Sequence, residues 1–258
     1  MNPVPARAVG TFRSWPMTAA GPQAFASVWV HRLPEKDAAS IAIASDATID
    51  LQWINHAFRV AGPDTQALTE NMPAGALVIG FRFRPAAAAA WLGVAASQLT
   101  DQRTELESLW GSRARRAAAE VVDDGNVDRL VRSLVTVVRQ MRPATICADP
   151  AMAAAYRLVA GGAPAGAPLL SWLSRALGTS ERTLRRRFDE AFGYGPKTLD
   201  RILRHQRYLH LAAKSLESTA VLALEAGYSD QAHLVRESRR LTGSSPGMLN
   251  RRIANLVE

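Results

Sequence analysis

Near its C-terminus this 258-residue chain writes one pattern twice, fifty residues apart: Leu184 recurs as Leu234, Arg186 as Arg236, Gly193 as Gly243 and Pro196 as Pro246. The first copy reads Gly178-Thr179-Ser180-Glu181-Arg182-Thr183-Leu184-Arg185-Arg186-Arg187-Phe188. The second reads Gly227-Tyr228-Ser229-Asp230-Gln231-Ala232-His233-Leu234-Val235-Arg236-Glu237-Ser238. Each places a glycine turn and a polar cap before a helix with an apolar inner face and a basic outer one. That is the plan of a helix-turn-helix, and its duplication points to a duplex DNA reader with two recognition helices.

The helical register assigns roles within each copy. With about 100° per residue and Leu184 facing in, Phe188 falls about 40° away and Ala191 close by. Arg182 and Arg186 fall at about 160° and 200°, opposite the core, with Arg185 beside them at about 100°. Ser180 is the N-cap, and Glu181 suits the positive end of the helix dipole. Ser180, Arg182, Thr183, Arg185 and Arg186 therefore form the expected DNA-contacting set of the first helix. An arginine bonding guanine O6 and N7 contributes roughly 1–3 kcal/mol of discrimination. Arg187 lies nearer the core, facing either a phosphate or an internal carboxylate. In the second copy Asp230 aligns with Ser180 as the cap, with Ser229 the alternative. Leu234 and Leu241 face in, Ala232, Arg236 and Arg239 face out, and Gln231, His233 and Val235 flank them. Ala232 or Val235 could meet thymine methyls, while Gln231, His233 and Arg236 supply the polar contacts.

Charge follows the repeat. From Pro168 onward there are 15 Lys/Arg against 9 Asp/Glu, or +6, whereas the first 167 residues hold 16 against 14, only +2. A basic excess on the repeated segment suits a polyanion partner. The single cysteine, Cys147, excludes an intramolecular disulfide and a multi-cysteine zinc site and reads as a small buried hydrophobe. No apolar run approaches the roughly 18–20 residues of a membrane span. The N-terminus lacks a basic-then-apolar signal pattern. The expectation is a cytoplasmic protein with no membrane partner, no metal and no cofactor.

The first hundred residues read as strands at Val28–His31, Ile41–Ala44, Ile49–Ile54, Phe58–Ala61 and Leu77–Phe83. Asn55-His56-Ala57 turns one into the next, and Gly62-Pro63-Asp64 ends another. In the last strand Leu77, Ile79, Phe81 and Phe83 share the face expected to be buried. The period then becomes helical: Pro85–Gly93, Thr104–Trp110, Arg113–Val122, Val127–Arg142 and Pro150–Val159. The stripe of Val127, Leu130, Val131, Leu134, Val135 and Val138 serves either a core or a dimer seam. Gly161 to Pro168 is small and turn-rich, an interdomain linker. Beyond it helices are expected at Leu169–Leu177, Ser180–Phe192, Pro196–Ala213, Thr219–Ala226 and Asp230–Thr242. The fold class is therefore α+β: a β-rich front domain with helices, residues 1–160, for sensing or dimerisation; the linker 161–168; and an all-α domain, 169–258, whose two helix-turn-helix units share a long helix.

Positions 169–252 resemble the DNA-binding domain of AraC/XylS-type bacterial transcription regulators. The resemblance rests on Ala226-Gly227-Tyr228-Ser229-Asp230-Gln231-Ala232-His233-Leu234 and on Arg239-Arg240-Leu241-Thr242-Gly243-Ser244-Ser245-Pro246. It implies recognition helices in successive major grooves, with Arg182, Arg185 and Arg186, then Gln231, Ala232, His233, Val235 and Arg236, reading bases or lining the groove. Ser238 stands where this family usually has Phe, implying looser packing in the second unit, by about 1–3 kcal/mol. Ser174 replaces a usual alanine. Val60-Ala61-Gly62-Pro63-Asp64-Thr65 and Gly80-Phe81-Arg82-Phe83-Arg84-Pro85 resemble the sensor-like domains of one AraC subgroup. That resemblance implies a cupin-like or incomplete barrel.

The expected function is sequence-specific transcription regulation, of the activator type, controlled by a small-molecule effector or by homodimerisation, with double-stranded DNA and RNA polymerase as partners. Trp53 and Arg82 are the effector-pocket candidates. One rival is a ligand-independent DNA-binding dimer. Another is an enzyme fused to a helix-turn-helix. The alkylation-repair proteins of similar architecture need four cysteines. Otherwise His31, His56, Asp50 and Asp64 are the suggestive side chains, with no nucleophile elbow, metal-ligand spacing or phosphate loop beside them.

Overall fold

In the computed structural model the described residues are 10–18, 23–36, 39–141, 149–164, 166–215 and 217–254. Cys147 and Ala165 of the expected linker lie outside them. Among the described residues seven strands come first: β1 (Thr11–Pro16), β2 (Phe25–Arg32), β3 (Ala39–Ile43), β4 (Asp50–Ile54), β5 (Ala57–Ala61), β6 (Leu68–Met72) and β7 (Leu77–Phe83). An eighth, β8 (Arg103–Glu105), follows the short helix α1 (Ala88–Leu92) and a 3-10 turn at Ala96–Gln98. Six strands form an antiparallel sheet in the order β1-β2-β7-β4-β5-β8, and β3 pairs with β6 in a separate ribbon. The sheet stays open, with β1 and β8 at its edges.

Local chemistry explains these elements. Asn55 and His56 both take left-handed backbone angles, φ 49° and 58°, and form the two-residue turn whose twist matches the flanking strands. The alternation in β7 places Ile79, Phe81 and Phe83 in the main core with Phe25, Leu51, Phe58 and Val60. The opposite face is covered too, correcting the one-sided expectation. Val78 packs with Trp29, Ile41, Ile54 and Met72 beneath the β3–β6 ribbon. Gly80 lies flat under Trp29: a Cβ there would stand 2.1 Å from the indole ring.

This second face is otherwise ionic. Arg82 Nε donates to Asp50 Oδ1 at 3.1 Å and its Nη2 to Asp46 Oδ2 at 3.0 Å. Arg59 Nε donates to Gln52 Oε1 at 2.8 Å, and its guanidinium also pairs with Glu70. Arg103 grips Asp64 with two bonds, 3.0 and 2.8 Å. Buried pairs of this kind roughly offset their own desolvation and serve mainly to fix geometry.

The main face is covered by α1, α2 (Leu106–Trp110), α3 (Ser112–Ala119) and α4 (Val127–Gln140). Leu130, Leu134, Val137 and Val138 of α4 are buried in this core, so the apolar stripe is core; Val127, Val131 and Val135 lie half-buried at its margin. The expected helix from Thr104 starts two residues later because Arg103–Glu105 is drawn into the sheet beside β5.

Seven helices follow among the described residues: α5 (Pro150–Gly161), α6 (Leu169–Ala176), α7 (Glu181–Phe192), α8 (Pro196–Ala212), α9 (Thr219–Ala226), α10 (Gln231–Thr242) and α11 (Pro246–Ala254). Met152, Ala155 and Val159 of α5 share a core with Leu173, Leu184, Phe188, Leu199 and Ile202. That helix therefore packs with the first helix-turn-helix, although the sequence places it before the border at 161–168. A second core gathers Tyr208, Leu209, Leu222, Ala223, Tyr228, Leu234 and Leu249. The two halves of α8 thus belong to different units, which it joins rigidly. The fifty-residue repeat is visible in three dimensions. Gly193 and Gly243 end α7 and α10 with φ 81° and 70°, and Pro196 and Pro246 begin the helices that follow.

Candidate nucleic-acid interface

The helix expected to read the first half-site, α7, is fixed at both ends and along one side. Ser180 Oγ accepts the Thr183 amide at 3.2 Å, and Ser171 Oγ of α6 donates to Glu181 at 2.6 Å. Leu184 and Phe188 are fully buried. On the far side Arg182, Arg185 and Arg186 are exposed, with Thr183 half-buried beside them. Arg186 pairs with Glu190 one turn on, at 2.6 Å, and Arg185 stands 3.7 Å from Glu181.

Arg187 turns inward. Its Nε donates to Asp149 Oδ2 at 2.9 Å and Nη2 bonds the other oxygen, so of the two roles the sequence allows it takes the internal carboxylate. Asp149 also caps α5 through the Ala151 and Met152 amides. Burial pushes this carboxyl up, but hydrogen bonds from Arg187 and those amides outweigh burial and hold its pKa below the ordinary carboxylate value.

In α10 the cap is Asp230, whose Oδ1 accepts the His233 amide at 2.7 Å. Ser229 supports it, donating to Asp230 Oδ2 at 3.1 Å. That amide bond, first among the causes, lowers the Asp230 pKa. Gln231, Ala232, Arg236 and Arg239 are exposed, whereas His233 and Val235 are half-buried. The His233 ring stands edge-on to Tyr228 at 5.2 Å, and its Nδ1 lies 3.1 Å from Ser229 Oγ. Glu237 ties α10 to α8 through Arg201 at 2.6 Å. Ser238, where looser packing is expected, is buried with its hydroxyl donating to the Ser244 carbonyl at 2.8 Å. A hydrogen-bonded turn takes the place of an aromatic ring. Ser174 similarly donates to the Thr179 carbonyl. Between the two helices lies an open cleft bordered by Arg185, Lys197, Thr198, Arg204 and His233.

The front half is docked on the C-terminal ends of α7 and α10, which no feature of the repeat foretells. Thr100 Oγ1 donates to the Gly193 carbonyl at 2.8 Å. The Ser45 and Ala67 amides donate to the Leu241 and Arg240 carbonyls at 2.8 and 2.9 Å. These bonds satisfy carbonyls that a helix end leaves free. At Gly193 a Cβ would meet Thr100 Oγ1 at 2.5 Å and Pro63 at 2.7 Å, so only glycine allows this approach.

Between the sheet and the first helix-turn-helix is a cavity of about 190 Å³. Thr48, Arg82, Tyr156 and Tyr194 supply its polar lining, with Ile49, Phe83 and Phe192 among the apolar walls. Of the two pocket candidates, Arg82 lines it. Trp53 does not: it lies in the core, 4.9 Å from Phe58, because its strand face points to the main helical layer. The side chains considered for catalysis are dispersed. Asp50 and Asp64 are each held by an arginine, His56 is exposed at a hairpin tip and His31 is buried in β2. Among the described residues no group of three or more His, Cys, Asp or Glu could hold a metal ion. No helix there is long and apolar enough to cross a membrane.

Comparison with known proteins agrees with this geometry. Residues 173–252 match the family model described as a helix-turn-helix domain. The chain carries a helix-turn-helix domain of the AraC type. It is a DNA-binding transcription regulator. Residues 24–105 of this regulator match a second model, described as a domain of unknown function (DUF6597). Comparison with curated proteins gives no match. Among solved structures, ToxT from Vibrio cholerae is 10% identical over 94% of this chain and 98% of its own, with a TM-score of 0.49. Wild-type ToxT with bound unsaturated fatty acid is 12% identical over 90% and 97%, also at 0.49. The AraC-like transcriptional activator CuxR is 15% identical over 76% and 84%, at 0.26.

Proposed function

We propose that this regulator reads a bipartite site on double-stranded DNA and that a small-molecule effector bound by its front half controls the reading. Arg182, Arg185 and Arg186 contact the first half-site, with Ser180 and Thr183 at the helix entrance. Gln231, Ala232, Arg236 and Arg239 contact the second, with His233 and Val235 lining the groove. The observation that carries this reading is the shared geometry of α7 and α10: each is capped at its start, buried on one face and exposed on a basic other face. Control by an effector is favoured over a bare dimerisation scaffold by the polar-lined cavity against the first unit.

The test is selection of the full chain against random duplexes at low salt. Enrichment of a two-part sequence with centres about one helical turn, 10–10.5 base pairs, apart is expected. Affinity should fall steeply with salt as phosphate contacts release counterions. A full chain that enriches no sequence would refute the reading.

A further inference from the structure

We propose that the cavity between the sheet and the first helix-turn-helix is the effector site, and that it takes a small uncharged ring bearing one hydrogen-bonding group. The proposal deepens the effector-controlled reading above and rests on it for its consequence, though not for the binding itself.

Size sets the first limit. An apolar engineered cavity of about 150 Å³ holds benzene, so the cavity here, about 190 Å³, suits one ring with a short substituent. Chemistry sets the second. Tyr156 and Tyr194 line the space, and neither hydroxyl has a hydrogen-bond partner among the described residues. Burial first, and then the Asp46 charge, raises the Tyr156 pKa to about 12, and the same causes raise that of Tyr194. Both hydroxyls therefore stay protonated and available as donors or acceptors. Thr48 is the third polar neighbour; its hydroxyl donates to Asp46 Oδ1 at 2.5 Å and so meets a ligand as an acceptor, as phenol's hydroxyl requires. Phe192, 6.2 Å from Tyr156, and Phe83 supply aromatic walls.

Charge excludes the acidic version of such a ligand. The Arg82 guanidinium is already held by Asp46 and Asp50, so it offers no unpaired cation. A carboxylate guest would give up its hydration to lie near those two carboxylates. Arg84, the other arginine on the lining, is exposed, and its Nε is committed to the Gln23 carbonyl at 3.0 Å. The cavity is polar but unfavourable to an anion.

Its position gives the ligand leverage on both reading heads. Ala191, Phe192 and Tyr194 come from the end of α7 and the turn after it. Ala47 and Thr48 come from the loop whose Ser45 amide bonds the Leu241 carbonyl at the end of α10. That loop is strained, with Ala47 at φ 64°, and it is held to Arg82 through Asp46. A ligand seated here touches one recognition helix directly and the other through three residues of loop.

Calorimetric titration of the DNA-free full chain with phenol, benzamide and benzoate tests the site. Both neutral rings should bind and raise the melting temperature, and benzoate should bind at least about tenfold more weakly. Tyr156→Phe should weaken phenol by about tenfold, the loss of one hydrogen bond; Thr48→Val serves as the second variant should Tyr156→Phe not fold. Absence of binding by both neutral rings, benzoate binding as tightly as phenol, or unchanged phenol affinity in both variants overturns the proposal. Because DNA is absent from the titration, its failure is separate from failure of the DNA-binding reading.

Discussion

Arg186 has two partners to choose between, and the energies decide the choice. In the free protein it pairs with Glu190 at 2.6 Å, with both side chains about half or more exposed, 65% and 50%. An exposed pair one helical turn apart contributes only about 0.3–0.5 kcal/mol and weakens with salt. A bidentate contact with a guanine edge contributes roughly 1–3 kcal/mol of discrimination. On a cognate duplex the guanidinium should therefore leave Glu190. Arg186→Ala should cost about 1–3 kcal/mol on the cognate duplex and much less on a scrambled one. Glu190→Ala, which frees the arginine and removes a negative charge beside the DNA, should leave cognate affinity unchanged or improve it. Fluorescence-anisotropy titrations of each variant on both duplexes, at several salt concentrations, supply the measurement. Equal losses on the two duplexes for Arg186→Ala would place this side chain on phosphate and refute the assignment of the reading face.

Arg187→Ala should lower unfolding stability by about 1–2 kcal/mol in denaturant, since Asp149 loses a charge-assisted pair in a partly exposed setting. A stable variant that instead bound all DNA more weakly would return Arg187 to a phosphate contact. His205 is fully buried, and neither ring nitrogen has a hydrogen-bond partner among the described residues; burial, partly opposed by Glu237, lowers its pKa from 6.5 to about 4. A depressed histidine pKa means that the unfolded chain binds the proton first. Stability should therefore be whole above pH 6.5 and fall by an amount on the order of 3 kcal/mol down to about pH 4, a loss that His205→Met should remove from the melting-temperature profile. Gly80→Ala should force Trp29 from its seat and cost about 1–3 kcal/mol in denaturant unfolding; a neutral result would show that the indole can slide aside.

The helical half was legible because its signals are local. Ser180 and Asp230 cap, Gly193 and Gly243 stop, Pro196 and Pro246 restart, and Leu184 and Leu234 recur at helical spacing. Each acts within a turn of its own position. The front half depends on pairing across distance. β6, Leu68–Met72, reads as polar coil because Thr69, Glu70 and Asn71 mask its alternation, and it becomes a strand only by pairing with β3. β8 is three residues recruited by β5. The cavity left still less trace. Thr48 and Tyr156 lie far apart in the chain and belong to no repeat or motif, and Tyr194, inside the repeat, aligns with Ser244, so nothing in spacing joins the three. Arg82, a charged residue amid a strand of apolar neighbours, lines the cavity while held by Asp46 and Asp50. Trp53 was misplaced because its strand face was decided by the helices packed on it.

The docking of the front half bears on what a regulator of this build can control. Two units on a common helix read a bipartite site only if the distance and angle between α7 and α10 match the groove repeat. The long helix α8 sets part of that geometry from within. The front half sets the rest from behind, through Thr100 at the end of α7 and through Ser45 and Ala67 at the end of α10. These are single hydrogen bonds, each contributing about 0.5–1.5 kcal/mol, and they approach backbone carbonyls rather than side chains. They can be exchanged for water without unfolding either core. A small shift in the loop carrying Ser45 would alter the placement of the second reading head while Thr100 still holds the first. The fold therefore allows affinity for a bipartite site to be tuned without altering any residue that touches a base. Control of this kind needs only the few kcal/mol that one small ligand can supply.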